Sequence, residues 1–346
     1  MARNKALDYL RRHNHFQVIS QELAYLDDQE TTISDWFSEQ EINDSQLRMM
    51  FACCHPALPP EGQIALILKS LCGLSIQEIA QAFLTGKDTI EKRLYRAKEK
   101  IRQQGITLEI PAGTDLAPRL DSVLKTLYLL FNEGYHSQSE TLIRLDLLED
   151  ALRFSKLLTE FPPTNRPDLK ALLALMCFQT ARADSRSDGD GGLLLLRDQD
   201  RSRWNHALIR RGIGYLVQSA VGDEITTYHL EAAIAHEHCI APGYEATRWG
   251  ELLRYYDLLW HLAPSPVVSL NRAVVLAELR GAQAGLQALN ATADVLQNNY
   301  LQHAVKGELL ARTGQKQAAR ICFERAILLT TSEAQKRFLS EKINRL

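Results

Sequence analysis

The sequence predicts an all-α protein, and three observations carry that prediction. Leu and Ala are abundant while β-branched and aromatic residues are modest in number, a composition that favours helix. No stretch alternates apolar and polar residues with a period of two; the tetrad Leu193–Leu196 is too short and does not alternate. From Asp121 to Leu346 one helical pattern follows another, broken only by turn-rich segments such as FPPTNRPD, DSRSDGDGG, APGYEA and LAPSPV.

At 346 residues the chain has room for two or three domains, each with its own core. Its 45% hydrophobic and 24% charged content is ordinary for a globular protein. No apolar run approaches the roughly 18 residues that span a bilayer. MARNKALDYLRR carries charges where a secretion signal needs an apolar stretch, so the expected location is the cytoplasm, without membrane contact. The six cysteines show no CxxC spacing, which predicts free, mostly buried thiols rather than disulfides.

The elements follow in order. Residues 1–12 have the pattern of the end of a basic helix, with Leu7 and Leu10 as its apolar edge. Residues 13–43 read as an acidic linker: between Gln21 and Asp44 there are eight acids and no Lys or Arg. Trp36 and Phe37 are its expected docking points.

Residues 44–105 form a compact helical unit. Ser75-Ile76-Gln77-Glu78 has the S-x-x-E spacing of a capping box, so a helix starts there with Ile76, Ile79, Ala80 and Phe83 inward. LTGK ends it, and Gly86 is the expected left-handed turn residue. A second helix starts near Asp88. Ile90, Leu94, Ala97 and Ile101 fall at i, i+4, i+7 and i+11, one stripe on one side. Between Lys87 and Arg102 stand Lys87, Lys92, Arg93, Arg96, Lys98, Lys100 and Arg102 against Asp88, Glu91 and Glu99, a local charge of +4 in a chain whose net charge is −2.

The stripe leaves Lys92, Arg93, Arg96 and Lys100 outward, with Lys87 and Thr89 near the leading end. Two helices, a Gly-containing turn and a second helix that is basic outside describe a helix-turn-helix, whose second helix fits the major groove of DNA. A solvated amphipathic hairpin is the plainer alternative.

The segment EIPAGTDLAPRL supplies turn chemistry through Pro111, Gly113 and Pro118, and a domain boundary is placed there, with residues 115–346 beyond it. Within that half, Gly307, Leu310, Gly314, Ala319, Phe323 and Ala326 have tetratricopeptide spacing. Gly281 precedes Gly314 by 33 residues, against a repeat of about 34. Such helix stacks present surfaces to protein partners, or simply rigidify a molecule.

Three polar constellations have residue types that could carry chemistry. DSRSDGDGG fails as a calcium loop, because counting from Asp184 puts Arg186 at position 3 and Leu195 at position 12. HEHC with His229 does not share one helix face, so no metal is expected, and Cys53-Cys54-His55 reads as core. RDQDRSRWN is the densest cluster. Asp198, Asp200, Arg201 and Arg203 are expected to pair with one another or with Arg182 and Asp184, with Trp204 anchoring the loop or flooring a small-ligand site. No nucleotide, zinc-protease or nucleophile-elbow motif occurs, so neither a cofactor nor enzyme activity is expected.

With DSQLRMMFACCHPALPPEGQIALILKSLCGLS ahead of the hairpin, GLSIQEIAQAFL as its first helix and IEKRLYRAKEKIR as its second, the chain resembles region 4 of bacterial RNA polymerase sigma factors. It is most similar to extracytoplasmic-function (group 4) factors with a TPR-like C-terminal extension. ARNKALDYLRR resembles the end of region 2, and FNEGYHSQ, RDQDRSRWN and LAPSPVVSLNRAVVLAELRG resemble segments of the extension, so the likeness runs nearly end to end.

The resemblance implies a transcription-initiation factor whose region 4 binds the promoter −35 element and the polymerase β flap. By position Lys92, Arg93 and Arg96 meet DNA; Glu91 stands where many members have a basic residue; Ser75 and Gln77 are phosphate ligands, or Ser75 only caps. Most of region 2 is absent from this sequence, which points to truncation, a misplaced start or a natural fragment. The chain as given is expected not to open a promoter unaided. A TPR-type interaction module and a helix-turn-helix regulator independent of polymerase remain the alternatives.

Overall fold

The computed structural model describes residues 44–109, 111, 113–135, 143–188, 192–290 and 299–346. The segments read as a helix end at residues 1–12 and an acidic linker at 13–43 lie outside the described residues. Among the described residues there are fifteen α-helices and no strand, the only β pairing being the bridge between Ser187 and Leu193. The all-α expectation is met.

The chain divides into two compact units. The described residues of 44–134 and 145–169 form the first, and those of 135–144 and 170–346 form the second. This division falls later than the Pro111–Pro118 turn where the sequence reading puts its boundary. The reason is visible in two long-range ties. Arg119 donates to the Phe51 carbonyl at 3.1 Å, and Arg153 donates to Gln46 at 3.2 Å and forms an ion pair with Asp44. Helices beyond the turn are thereby bonded to the start of the first unit.

In the first unit, α1 (Ser45–Cys53) is capped by Asp44, whose side chain accepts from the Leu47 amide. Helix α2 (Pro60–Ser70) begins on a proline, which has no amide hydrogen to leave unpaired, and buries Gly62 to Leu68 continuously. Helices α3 (Ile76–Ala82) and α4 (Lys87–Gln104) pack on it. Next come α5 (Ala117–Tyr135), entered through a 3-10 turn at Gly113–Leu116, and α6 (Leu145–Leu158). Phe51, Ile67, Leu68, Leu74, Ile79 and Ile90 are all fully buried.

Helix α7 (Pro167–Ala181) buries every residue from Ala171 to Phe178, apolar on all sides rather than along one stripe. A loop follows, with 3-10 turns at Ala183–Arg186, Leu196–Asp198 and Arg201–Arg203. The remaining helices are α8 (His206–Ser219), α9 (Thr227–Ile240), α10 (Trp249–Leu262), α11 (Pro266–Arg280), α12 (Ala282–Asn290), α13 (Tyr300–Arg312), α14 (Lys316–Leu329) and α15 (Glu333–Asn344).

Helices α11 and α12 form one hairpin and α13 and α14 another. Their turns are at Gly281 and Gly314, with φ of +90° and +80°, in the region L side chains rarely adopt. Gly307 lets the helices of the second hairpin approach closely: a Cβ there would stand 2.7 Å from the Phe323 ring. Around that contact Leu309, Ala319, Phe323, Ala326 and Leu339 form a buried cluster. The small and aromatic positions singled out by their spacing therefore meet at a helix–helix contact.

None of the six cysteines is in a disulfide among the described residues, four of them are buried, and burial alone pushes the Cys53 thiol up to about 12. No described helix is long and apolar enough to cross a membrane.

Candidate nucleic-acid interface

Local chemistry builds the hairpin of α3 and α4. The Ser75 hydroxyl accepts the Glu78 amide at 3.2 Å, and the Glu78 carboxylate accepts the Ser75 amide at 2.6 Å, the reciprocal capping box the spacing predicts. Ile79 and Ala80 are buried, while Ile76 and Phe83 are only half-buried.

The turn differs from expectation. Leu84, with φ of +51°, takes the left-handed conformation, whereas Gly86 is extended, with φ of −81°. Hydrogen bonding explains the shift. The Leu84 amide donates to the Gln81 carbonyl at 3.0 Å, and the Thr85 amide to the Ala80 carbonyl at 2.8 Å, closing the end of α3 in a Schellman arrangement. That closure requires the left-handed residue directly after the Phe83 cap. Gly86 stands two positions later and serves as the N-cap of α4.

Along α4, Ile90, Leu94 and Ala97 are buried. Lys87, Thr89, Lys92 and Arg96 are exposed on the other side, with Lys100 partly exposed and Gln77 exposed on α3. Arg93, read from spacing as outward, is half-buried. Its guanidinium lies 5.1 Å from the centre of the Phe83 ring, and its Nη1 is shut off from solvent. Arg102 is held by Glu99 at 2.7 Å, and that hydrogen bond holds the Glu99 carboxyl below its usual range. Tyr95, 67% exposed between Lys92 and Arg96, was missed by the sequence reading. The signal available was an aromatic residue off the apolar stripe. Lys87, Lys92, Arg96 and Lys100, which form no ion pair among the described residues, thus lie along the side of the helix that faces away from the core.

The cluster expected around RDQDRSRWN is built differently from the expected ion-pair network. Arg201 donates to the carbonyls of His238 at 2.6 Å and Ala241 at 2.9 Å, closing the end of α9, and its guanidinium lies 4.6 Å from the Trp204 ring. Trp204 is 3% exposed, so it anchors the loop. Asp200 accepts from the amide and hydroxyl of Ser202, and these bonds hold its carboxyl below the usual range. Arg182 donates to Gln179, while Asp184 and Asp198 are exposed. Both bonds leave from one nitrogen, Nη1, so Arg201 is committed to the carbonyls at the end of α9, which have no partner within the helix, rather than to a neighbouring carboxylate.

The histidines considered for a metal have separate surroundings. His229 bonds Thr226 and the Ser219 carbonyl, His236 lies against Phe178, and His238 against Trp249. DSRSDGDGG forms a turn in its described part, with Asp188 accepting the Gly192 amide at 2.6 Å.

Comparison with known proteins bears on both halves. Residues 48–101 match the family described as Sigma-70, region 4, a span that contains α3 and nearly all of α4. Residues 119–220 match a family of unknown function (DUF6596). An uncharacterized protein of Rhizobium meliloti (strain 1021) is 35% identical over 349 residues, covering 100% of this chain and 82% of that protein. The helix-turn-helix segment is therefore sigma-factor-like, and its class of activity is DNA binding.

Proposed function

Because the chain belongs to one family with the Rhizobium meliloti protein and carries a sigma-70 region 4, we propose that it acts in transcription initiation as a sigma factor of the extracytoplasmic-function type. In this reading α4 enters the major groove of a promoter −35 element. Thr89, Lys92 and Arg96 stand at base edges and phosphates, Lys87, Lys100 and Gln77 hold phosphates, and Arg93 buttresses the helix through Phe83 while offering one edge to the backbone. Ser75 contributes through its cap. The same region meets the polymerase β flap. The helical hairpins of the second unit act as a TPR-like extension that docks a partner protein or a small ligand and so governs activity.

The observation that carries this reading is the exposed cationic side of α4 on a capped helix-turn-helix, within the segment that matches region 4. The test uses the full chain, immobilised, with purified core RNA polymerase and with selection from fragmented genomic DNA. Retention of polymerase and enrichment of a common sequence are expected. Affinity for that sequence should fall linearly as log[salt] rises, by about 0.9 per phosphate contacted. Arg96→Ala should cost about 1–3 kcal/mol on the selected sequence and less on others. DNA binding without polymerase retention would make the chain an independent regulator. Absence of both would leave an interaction module, and either result ends the proposal.

A further inference from the structure

The second unit holds a partly open cavity of about 350 Å³, walled by the 193–197 loop and by residues of α9, α10, α11, α13, α14 and α15. Its size lies at the lower end of the range of small-molecule sites. Most of its surface is apolar, with Trp249, Tyr256, Tyr300 and Phe323 among the lining residues.

The ionisable groups on the wall do not balance. Glu278 takes both Arg312 at 2.6 Å and Arg197 at 3.4 Å, while Glu308 takes Lys342 at 3.0 Å. Three cations thus share two carboxylates. His238, also on the wall, adds no charge near neutrality, because burial and then the nearby Arg182 and Arg201 lower it to about 3. Tyr244, raised to about 12 by burial and by Glu278, stays a neutral phenol. Arg197 is the unbalanced member. Its bond to Glu278 is the longer of the two, its guanidinium rests 5.1 Å from the Tyr244 ring, and 36% of its side chain remains exposed. His238 also has an Nδ1 sealed from solvent with no hydrogen-bond partner among the described residues.

From this geometry we propose that the cavity binds a small organic anion, one acidic group on an aromatic or aliphatic body, with Arg197 receiving the acid and the aromatic wall receiving the body. A single negative charge brings the site to neutrality, which matters most where the surroundings are poor in water. The 193–197 loop forms one wall, so the space suits a compact molecule better than a continuous polypeptide. The inference is independent of the DNA-binding reading and survives or fails separately from it.

The test uses the full chain and a pair of fluorescent probes of similar body, anilinonaphthalene sulfonate with one negative charge and neutral phenylnaphthylamine. The sulfonate should bind saturably, one per chain. Arg197→Gln should weaken it about tenfold and leave the neutral probe unchanged, the scale expected for losing one charge-assisted bond. Glu278→Gln, which increases the cationic excess, should tighten it. Ala304→Trp, which adds bulk to the cavity wall, should abolish both probes. Should that variant fail to fold, the opposite signs of the other two decide the matter. Unsaturable binding at many sites, equal response of the two probes to Arg197→Gln, or weakening by Glu278→Gln would overturn the proposal.

Discussion

The α3–α4 hairpin and the α13–α14 hairpin reverse the chain by different means. In the first, the left-handed position is filled by Leu84, which is 62% exposed, and the turn is shaped by a Schellman closure on one side and, on the other, by Gly86, an N-cap without a side-chain bond. In the second, Gly314 fills that position and Gly307 brings the helices together over Phe323. The first hairpin is defined mainly by caps and leaves a helix side free for a partner. The second is defined by close packing. Substitutions should therefore act through different quantities in the two places.

The largest effect should come from the packed hairpin. Phe323→Ala removes a fully buried ring from the hydrophobic core of α13 to α15 and should destabilise the second unit by about 3–5 kcal/mol, read as a lower urea midpoint. Gly314→Ala should cost about 1–2 kcal/mol in the same assay, because an L side chain is forced to φ of +80°. In the capped hairpin, Ser75→Ala should cost about 1 kcal/mol. It should appear locally, as roughly fivefold faster hydrogen exchange at the Glu78 amide that Ser75 accepts. The smallest effect belongs to Gly86→Ala. Gly86 is extended and a Cβ there meets nothing, so its stability should change by less than about 0.5 kcal/mol. A loss at Gly86 equal to that at Gly314 would break the contrast between the two turns.

What could be read from sequence was what neighbours within a turn or two of helix decide. The Ser75–Glu78 box and the Ile90–Leu94–Ala97 stripe are written in local spacing, and the structure has them in those roles. Leu84 was passed over because Gly is the commoner choice for a left-handed residue, and only the hydrogen bonds to Ala80 and Gln81 fix which position must adopt it. Arg93 was misplaced because its partner, Phe83, sits across the turn. The partners of Arg201 lie 37 and 40 residues away, and the cavity draws on residues from 193 to 342; neither leaves a periodic trace.

Arg201 also has a bearing on biosynthesis. The carbonyls it closes belong to residues that follow it by 37 and 40 positions, so on the ribosome the guanidinium emerges well before its acceptors. At ordinary elongation rates that interval is about 2–8 s, far longer than a helix needs to form. Until α9 has been made and its far end has left the exit tunnel, the Arg201 guanidinium has neither of these acceptors.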